Sequence, residues 1–389
     1  MNSFVFENST KVCFGPGCAR EHLPGLLAQY GPNVLLGYGG GSVKASGIYD
    51  EIMGLLKQAG KRVTEFSGIM SNPTYTKVLE GVRLVKENQI DLILAVGGGS
   101  VMDCCKAVSM GAVYQGDLWT DYWENISPVT FDPLPLGVVV TLSGTGSEVN
   151  GDSVITHEEK HMKTGHDYPR CNPRFALLDP EYTYSVPMKP MLASGFDILS
   201  HIMEIYFSEP QGPNVSDEIS QALMRSLIHS LRIAKTDPKN YDARSDIMWI
   251  AAMAENRILK LGKKLDFQCH QMEHQLGAYT NCSHGEGLAV LHPAYYRRIY
   301  KDGLEKFYAF AVQVWGISPE GKTREETALA GVEALADFIR ELGLPTTLRE
   351  LGVDDRLDLK AVADSCSIVS GSFRKLTRQE ILDIFMECK

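Results

Sequence analysis

Two short stretches of the chain concentrate the residue types that bind a divalent metal ion. In GFDILSHIME, Asp197 and His201 are four residues apart, which places both on one face of a helix, one turn apart. In HQMEHQLGAYTNCSHG, His270 and His274 repeat this spacing, and His284 follows a turn-like run. One carboxylate and several imidazoles on two helices and a loop suit a borderline cation such as Zn²⁺ or Fe²⁺. Each pair alone also fits an ordinary helix face. Because three of the ten histidines fall within these fifteen residues, however, a metal site stands on an equal footing with that structural interpretation.

Length and composition bound the class of protein. A chain of 389 residues exceeds one comfortable hydrophobic core, which predicts two domains. It has 44% hydrophobic and 22% charged residues, like an ordinary soluble globular protein, and its net charge of −10 argues against nucleic-acid or anionic-membrane partners. We find no signal-peptide pattern and no apolar run of the ~18 residues that a membrane span needs. Nine scattered cysteines do not form a disulfide framework, so we expect a reducing, cytoplasmic location.

The first half of the chain repeats the order strand, glycine turn, helix. This order predicts an α/β domain with a parallel nucleotide-binding sheet over residues 1–185. Its start, residues 3–15, is predicted to form two short strands in a hairpin-like arrangement. Further strands are predicted at 33–38, 62–66, 91–96, 136–141 and 175–178.

Strand-like patterns are absent from the second half, and long helical periodicities replace them. Residues 186–389 are therefore predicted to form an all-α, metal-binding domain. The predicted helices are Met191–Phe207, Ser216–Ala234, Ala243–Leu261, Phe267–Tyr279, Gly287–Tyr300 and Arg324–Leu342.

A glycine turn between a buried strand and a helix is a candidate phosphate-binding site. Gly97, Gly98, Gly99 and Ser100 occupy such a turn, where the backbone can approach a phosphate and the helix N-terminus supplies free N–H groups. The pattern is neither G-x-G-x-x-G nor a P-loop, and three glycines at a turn are often structural. Asp103 in the following helix and a second strand-end loop, from Thr141 to Glu148, favour a ligand site.

A third loop bears on the kind of nucleotide that the predicted sheet could bind. Gly39, Gly40, Gly41 and Ser42 end the second predicted strand, where many nucleotide-binding sheets carry an acidic residue that binds the ribose 2′-hydroxyl. Here the acid is missing, which leaves room for a 2′-phosphate. Lys44 is near and could compensate the charge of that phosphate. A plain tight turn is the open alternative.

With these residues in view, the chain resembles the iron-containing alcohol dehydrogenase family and, within it, the butanol-dehydrogenase-like branch. The resemblance covers essentially the whole chain from Thr10 onward. The motifs that carry it are GGGSVMD from Gly97, GTGSE from Gly144, LDP from Leu178, G-x-D-x-x-x-H from Gly195, and H-x-x-x-H-x-L-G-A from His270 followed by His284. It implies the dehydroquinate-synthase-like fold of that family, NAD(P)-linked interconversion of primary alcohols and aldehydes such as butanol and butanal, and a homodimer.

The resemblance also implies roles for individual residues. The family's single metal ion, Fe²⁺ or Zn²⁺, takes an Asp and three His, which correspond here to Asp197, His201, His270 and His284. His274 is then not a ligand but lies near the nicotinamide and the alcohol, as a catalytic residue. The cofactor contacts correspond to Gly98, Gly99 and Ser100 for the pyrophosphate and to Asn72, Asp103, Thr141, Leu142 and Lys163 for the remaining groups. Members with a GGGS-x-K turn after the second strand resemble NADP users, with NAD possible, and this chain has Gly40 where NAD users have Asp.

Three other functions compete with alcohol dehydrogenase activity. A glycerol-type polyol dehydrogenase belongs to the same superfamily, and so does a metal-dependent lyase of the dehydroquinate-synthase type, whose metal set includes a Glu. A catalytically silent metal-binding protein is the third, and the intact ligand set weighs against it.

The remaining chemistry-bearing residues receive structural predictions. His157, His161 and His166 are predicted to be surface groups, and His292, before a proline, a helix-end histidine. The adjacent cysteines Cys104 and Cys105 are predicted to pack in a helix. The aromatic run is predicted to belong to the core or to a subunit contact, and comprises Tyr114, Trp119, Tyr122 and Trp123.

Overall fold

The computed structural model describes residues 2–389 and shows two units of different architecture. One unit comprises residues 7–187. The other comprises residues 188–389 together with the N-terminal residues up to Phe6.

The first unit is built on a six-stranded sheet in which every neighbouring pair is parallel. The strand order is β1-β8-β5-β4-β2-β3. Its central strand has the sequence LILAVG and is buried along its whole length, as expected for a parallel sheet covered on both faces. The strands are β1 Lys11–Phe14, β2 Asn33–Tyr38, β3 Arg62–Phe66, β4 Leu92–Gly97, β5 Leu136–Val140 and β8 Phe175–Leu178.

The helices of this unit connect successive strands of the sheet. After β2 the chain runs outward to β3, whereas after β4 it runs in the opposite direction to β5. The carboxyl ends of the adjacent strands β2 and β4 therefore flank a topological switch point, where open α/β sheets bind ligands. The helices are α1 Cys18–Leu27, α2 Ser42–Ala45, α3 Ile48–Gln58, α4 Tyr75–Glu87 and α5 Gly99–Val113.

An antiparallel hairpin, β6 Asp152–His157 and β7 Met162–Asp167, was not predicted. Its strands carry histidines and charged residues without clean alternation, so the segment resembled a polar turn. The prediction of three surface histidines is right for His161, at the exposed hairpin turn, and wrong for His157 and His166. These two are partly buried. The ring of His157 stacks on that of Tyr75, with centroids 5.5 Å apart.

The predicted pair of strands in residues 3–15 is wrong in its first member. Only Lys11–Phe14 forms a strand, and it pairs with the distant β8 rather than with a sequence neighbour. Asn8 accounts for the break, since its side chain accepts a hydrogen bond from the Thr10 N–H at 3.1 Å and donates one to the Val149 carbonyl at 2.9 Å.

The second unit is helical, and no strand forms within residues 188–389. The predicted helix Ala243–Leu261 ends early, at Glu255, because Arg257 adopts the left-handed conformation with φ 76°. The three helices α11, α13 and α14 were not predicted. The bounds are α6 Met188–Tyr206, α7 Val215–Thr236, α8 Tyr241–Glu255, α9 Gln268–Thr280, α10 His284–Ile299, α11 Leu304–Ala309, α12 Arg324–Leu342, α13 Leu359–Ser365 and α14 Arg378–Glu387.

None of the helices in residues 2–389 combines the length and the hydropathy that a membrane-spanning segment requires.

Candidate metal centre and cofactor loops

Four of the predicted ligands converge on one point in the helical unit. Asp197 and His201 lie one turn apart on α6, His270 lies in the first turn of α9, and His284 is the first residue of α10. The Nε2 atoms of His201, His270 and His284 lie 3.8, 3.7 and 3.5 Å from Asp197 Oδ1. Ligand atoms in a tetrahedral site with bonds of about 2.1 Å are about 3.4 Å apart, so these distances fit a first coordination sphere. We call these four residues the metal cluster.

The polar atoms of the metal cluster fit a cation better than they fit one another. Asp197 Oδ1 and His270 Nε2 are buried, and within residues 2–389 neither atom has a hydrogen-bond partner. Buried polar atoms without partners are costly, and a bound cation would satisfy both. Burial lowers the pKa of His201 to about 3, so this imidazole is neutral and able to act as a ligand at neutral pH.

The charges in the cluster act on each other. Burial alone would raise the pKa of Asp197, but the neighbouring histidines bring it below its ordinary range. Burial likewise opposes a charge on His270, but the carboxylates of Glu204 and Asp197 raise its pKa to about 10. A metal ion bound at His270 Nε2 must therefore displace a proton.

Two carboxylates that sequence reasoning missed hold the ligand imidazoles. Glu204 on α6 contacts His270 Nδ1 and accepts hydrogen bonds from the backbone N–H groups of Cys269 at 2.7 Å and His270 at 3.2 Å. Glu273 on α9 contacts His284 Nδ1. Each carboxylate contacts Nδ1 of its imidazole, so Nε2 stays directed at Asp197. In metal sites, ligand imidazoles are commonly held by such a carboxylate behind the ring. The helical spacing of Glu204 was a usable signal, since Asp197, His201 and Glu204 lie at i, i+4 and i+7 on one helix face.

His274 lies beside the metal cluster. It is buried on the next turn of α9, and its ring centroid is 5.5 Å from that of His284 and 6.1 Å from that of His270. Potential ligand atoms that all lie within 4.8 Å of one another form two groups, of which Asp197, His201 and His270 are the first and Glu273, His274 and His284 the second. In the second group Glu273 is directed at the Nδ1 of His284, whereas the Nε2 of His284 faces Asp197.

The prediction for His292 is wrong. It lies in the interior of α10, which continues through Pro293, and it is fully buried. Its Nε2 is 2.6 Å from the hydroxyl oxygen of Ser200, and burial lowers its pKa well below the ordinary value. His292 thus packs α10 against α6, the helix that carries Asp197.

In the α/β unit, the loops after β4 and β5 meet at the carboxyl edge of the sheet. The Thr141 N–H donates to the Gly97 carbonyl at 3.0 Å. A side chain on Gly98 would come within 3.2 Å of Leu142, and one on Gly99 within 2.2 Å of the Thr145 hydroxyl. Any larger residue at Gly99 would therefore clash with Thr145, and one at Gly98 would crowd Leu142, so these glycines let the two loops pack closely at the N-terminus of α5.

The segment that carries Asn72 reaches the same edge. Ser100 Oγ donates to the Ser71 carbonyl at 2.5 Å. The Thr156 N–H donates to the Pro73 carbonyl at 2.9 Å, so the hairpin that carries the buried Lys163 packs against this segment.

Asp103, a predicted cofactor contact, is engaged within the protein. Its carboxylate accepts from the Ser147 hydroxyl at 2.6 Å and from the Val154 N–H at 3.1 Å. Burial raises its pKa to about 6, against the opposing charge of Lys106. The Lys106 Nζ is itself fully buried and donates to Ser147, Asn150 and the Asp152 carbonyl at 2.7, 3.0 and 2.8 Å. Asp103 and Lys106 therefore tie α5 to the loop after β5 and to the hairpin.

The turn from Gly39 to Ser42 follows β2, beside the end of β4. No heavy atom lies within 4 Å of a Cβ placed on Gly40 or Gly41, so this turn has space for a ligand. Of the other residues, Trp119, Tyr122 and Trp123 are buried, as predicted for core aromatics, whereas Tyr114 is only partly buried, and Cys104 and Cys105 are buried as predicted.

Comparison with known proteins decides the family. The family model for iron-containing alcohol dehydrogenases matches residues 9–180, and the model for the C-terminal region of the Fe-containing alcohol dehydrogenase family matches residues 191–388. The chain belongs to the iron-containing alcohol dehydrogenase family. It is an NAD(P)-dependent oxidoreductase of the butanol-dehydrogenase-like branch, which confirms the predicted reaction class over the lyase and the silent metal-binding protein.

Similar proteins extend over nearly the full chain. NADH-dependent butanol dehydrogenase A of Clostridium acetobutylicum is 39% identical, with 99% of each chain covered. NADPH-dependent aldehyde reductase YqhD of Escherichia coli is 34% identical, with 91% of this chain and 90% of that one covered. The crystal structure of NADH-dependent butanol dehydrogenase A from Thermotoga maritima has a TM-score of 0.93 at 32% identity, covering 100% of this chain and 99% of that one. The predicted fold class is thereby confirmed.

Proposed function

We propose that this enzyme reduces short primary aldehydes, butanal among them, with NADPH as the preferred hydride donor and one Fe²⁺ or Zn²⁺ ion held by the metal cluster. The observation that carries the proposal is the convergence of three imidazole Nε2 atoms within 3.8 Å of one buried carboxylate oxygen. The names of the butanol dehydrogenase and aldehyde reductase relatives support the substrate class.

The donor set suits the activation of a carbonyl group. Asp197 is the only anionic side chain among the four ligands, so the set neutralises only half the charge of a divalent cation. When bound, the cation would polarise the carbonyl oxygen of an aldehyde and stabilise negative charge on it. Glu204 and Glu273 fix the two imidazoles that they contact, which keeps the ligand atoms in place during turnover.

The reduced substrate needs a proton, and His274 is placed to supply it. Its imidazole is buried next to the metal cluster without belonging to the set around Asp197. An imidazole in that position can pass a proton to the alcohol oxygen and recover it from solvent.

The cofactor is assigned to the carboxyl edge of the parallel sheet. We assign the pyrophosphate to Gly98, Gly99 and Ser100 at the start of α5, and the adenosine ribose to the turn from Gly39 to Ser42. The remaining contacts are assigned to Asn72, Thr141, Leu142 and Lys163, whereas Asp103, predicted as a contact, is instead assigned to holding the loop after β5 in place. Gly40 offers no carboxylate to a 2′-hydroxyl, and Lys44 offers a positive charge to a 2′-phosphate, which supports NADPH.

The decisive assay is butanal reduction by metal-reconstituted protein, with NADPH and NADH in parallel and an EDTA-treated sample as control. We expect metal-dependent oxidation of NADPH that is faster than that of NADH. Glycerol and 1,3-propanediol oxidation are measured beside it, and a preference for these polyols would replace the aldehyde assignment. No turnover in protein shown to hold metal would refute the proposal.

An oligomeric state and a cellular location are proposed together with this function. We infer a homodimer, supported by the exposed apolar residues Phe4, Val5 and Phe6, which keep 50%, 94% and 45% of their surface in contact with solvent. Light scattering after gel filtration tests it, and a monomer at micromolar concentration would contradict it. The nine free cysteines support a reducing, cytoplasmic location.

A further inference from the structure

A carboxylate lies where the turn after β2 lacks one, but it comes from the neighbouring strand. Glu65, the next-to-last residue of β3, has its Oε2 3.6 Å from Lys44 Nζ. The hydroxyl of Tyr38, the last residue of β2, donates to the same oxygen. We call Tyr38, Lys44, Tyr49 and Glu65 the Glu65 cluster.

Aromatic rings hold Lys44 in place. Its Nζ lies 4.5 Å from the ring centroid of Tyr49 and 5.1 Å from that of Tyr38. The two rings pack edge to face with centroids 5.5 Å apart. The ammonium group is therefore fixed near the turn from Gly39 to Ser42 by attraction to the ring faces as well as by Glu65.

The cluster is accessible to a ligand. The side chains of Lys44 and Glu65 keep 50% and 43% of their surface exposed. The hydrogen bond from Tyr38 and the nearby Lys44 hold the pKa of Glu65 below its usual range, so this carboxylate is charged at neutral pH.

The charges of the cluster act in opposite directions on the two cofactors. A 2′-phosphate carries nearly two negative charges. It is attracted by Lys44 and repelled by Glu65, whereas the 2′-hydroxyl of NADH can donate a hydrogen bond to a carboxylate. Glu65 therefore weakens the advantage that Lys44 gives to NADPH.

We infer that Glu65 is a specificity-determining residue, whose carboxylate limits the preference for NADPH and keeps NADH usable. The inference rests on the proposed placement of the adenosine ribose at the turn from Gly39 to Ser42. It differs from the argument based on Gly40, because the acid that matters is supplied by β3 and acts partly through Lys44.

The test compares Glu65→Gln, Lys44→Met and the double variant in metal-loaded protein. The measured quantities are the Kd values of NADP⁺ and NAD⁺ by calorimetry and the NADPH/NADH ratio of kcat/KM with butanal. Removing one exposed charge near a phosphate changes affinity by a factor on the order of 3 to 10 at moderate ionic strength. We expect Glu65→Gln to raise the NADPH/NADH ratio by about that factor and Lys44→Met to lower it by about as much. In the Lys44→Met background, the Glu65→Gln effect should shrink, because part of it passes through Lys44.

Two control variants separate charge from packing. Tyr38→Phe removes the hydrogen bond to Glu65 but leaves both charges, and its cofactor ratio should stay within about twofold of the wild type. Glu87→Gln makes the same change in net charge on α4, where Glu87 pairs with Arg83 at 3.8 Å, and should leave the ratio unchanged. The Glu65→Gln effect should also be smaller at high salt than at low salt.

The outcomes separate this inference from the proposed function. A wild-type enzyme that binds both cofactors, with a ratio that Glu65→Gln does not change, overturns the role of Glu65 and leaves the reductase proposal intact. The same ratio change in Glu87→Gln also overturns it, since net charge would then be the cause. A wild type that binds no nicotinamide cofactor refutes both proposals.

Discussion

The metal cluster and the Glu65 cluster differ in how far each is removed from water. Asp197, His201 and His270 are buried, while Lys44 and Glu65 are about half exposed. Buried charges interact strongly and leave a costly orphan when one partner is removed. Exposed charges are screened, and each contributes little. If both proposed roles hold, then the chain keeps its metal chemistry where every partner is required and its cofactor discrimination where single charges change affinity by small factors.

Asp197→Asn should have the largest effect on metal affinity, because it removes the only negative charge of the metal cluster. Loss of one partner of a buried charge pair costs about 4 kcal/mol, which corresponds to roughly a thousandfold in metal affinity. Competition with a chromogenic chelator measures this affinity directly. Retention of wild-type Zn²⁺ affinity would contradict the assigned ligand set.

His274→Ala should remove rate and leave the metal. Loss of a positioned proton donor costs on the order of a hundredfold to ten-thousandfold in kcat, whereas a residue outside the ligand set does not change metal content. Metal analysis of the purified variant beside its kcat for butanal tests both statements. If metal content falls together with activity, then His274 is a ligand and the second group with Glu273 and His284 must be reconsidered.

Glu204→Gln and Glu273→Gln should each weaken metal binding by about 10- to 100-fold, since partners behind a ligand imidazole fix its orientation and raise its basicity. Glu204→Gln should show the larger loss, because Glu204 also binds two backbone N–H groups of α9. Chelator competition again supplies the measurement. Glu333→Gln, which removes a carboxylate that pairs with Arg297 at 2.7 Å, is the matched control and should bind metal normally.

Gly40→Asp should have the smallest effect and act only on the cofactor. The site has room for the side chain, so we expect the NADPH/NADH ratio of kcat/KM to fall by about tenfold through repulsion of the 2′-phosphate. Gly40→Asn supplies the same shape without the charge and should lower the ratio less. An unchanged ratio in Gly40→Asp would remove the argument from the glycine turn.

The sequence predicted the two sites unequally. Helical spacing and residue chemistry pointed to a metal site around Asp197, His201, His270 and His274, and the resemblance to the family was needed to choose His284 rather than His274 as the fourth ligand. The carboxylates behind the imidazoles were not predicted, because acidic residues on helices are common and only the packing of α10 against α6 and α9 shows which of them face inward.

The α/β unit shows a similar limit. The parallel strands were predictable from short apolar runs that end in glycine, whereas the hairpin of β6 and β7 has no such run. The ion pair between Lys44 and Glu65 was also out of reach, since it depends on strand β3 lying next to β2. Pairing between strands is a tertiary property that local patterns do not report.

Glu204 divides one carboxylate between a helix terminus and an imidazole. Its Oε1 accepts a hydrogen bond from the Cys269 N–H. Its Oε2 accepts one from the His270 N–H and contacts Nδ1 of the His270 ring. The order of the first turn of α9 and the orientation of a metal ligand therefore cannot change independently. If His270 binds the metal ion as proposed, then amide hydrogen exchange at Cys269 should slow when metal binds, and this can be measured without substrate, cofactor or turnover.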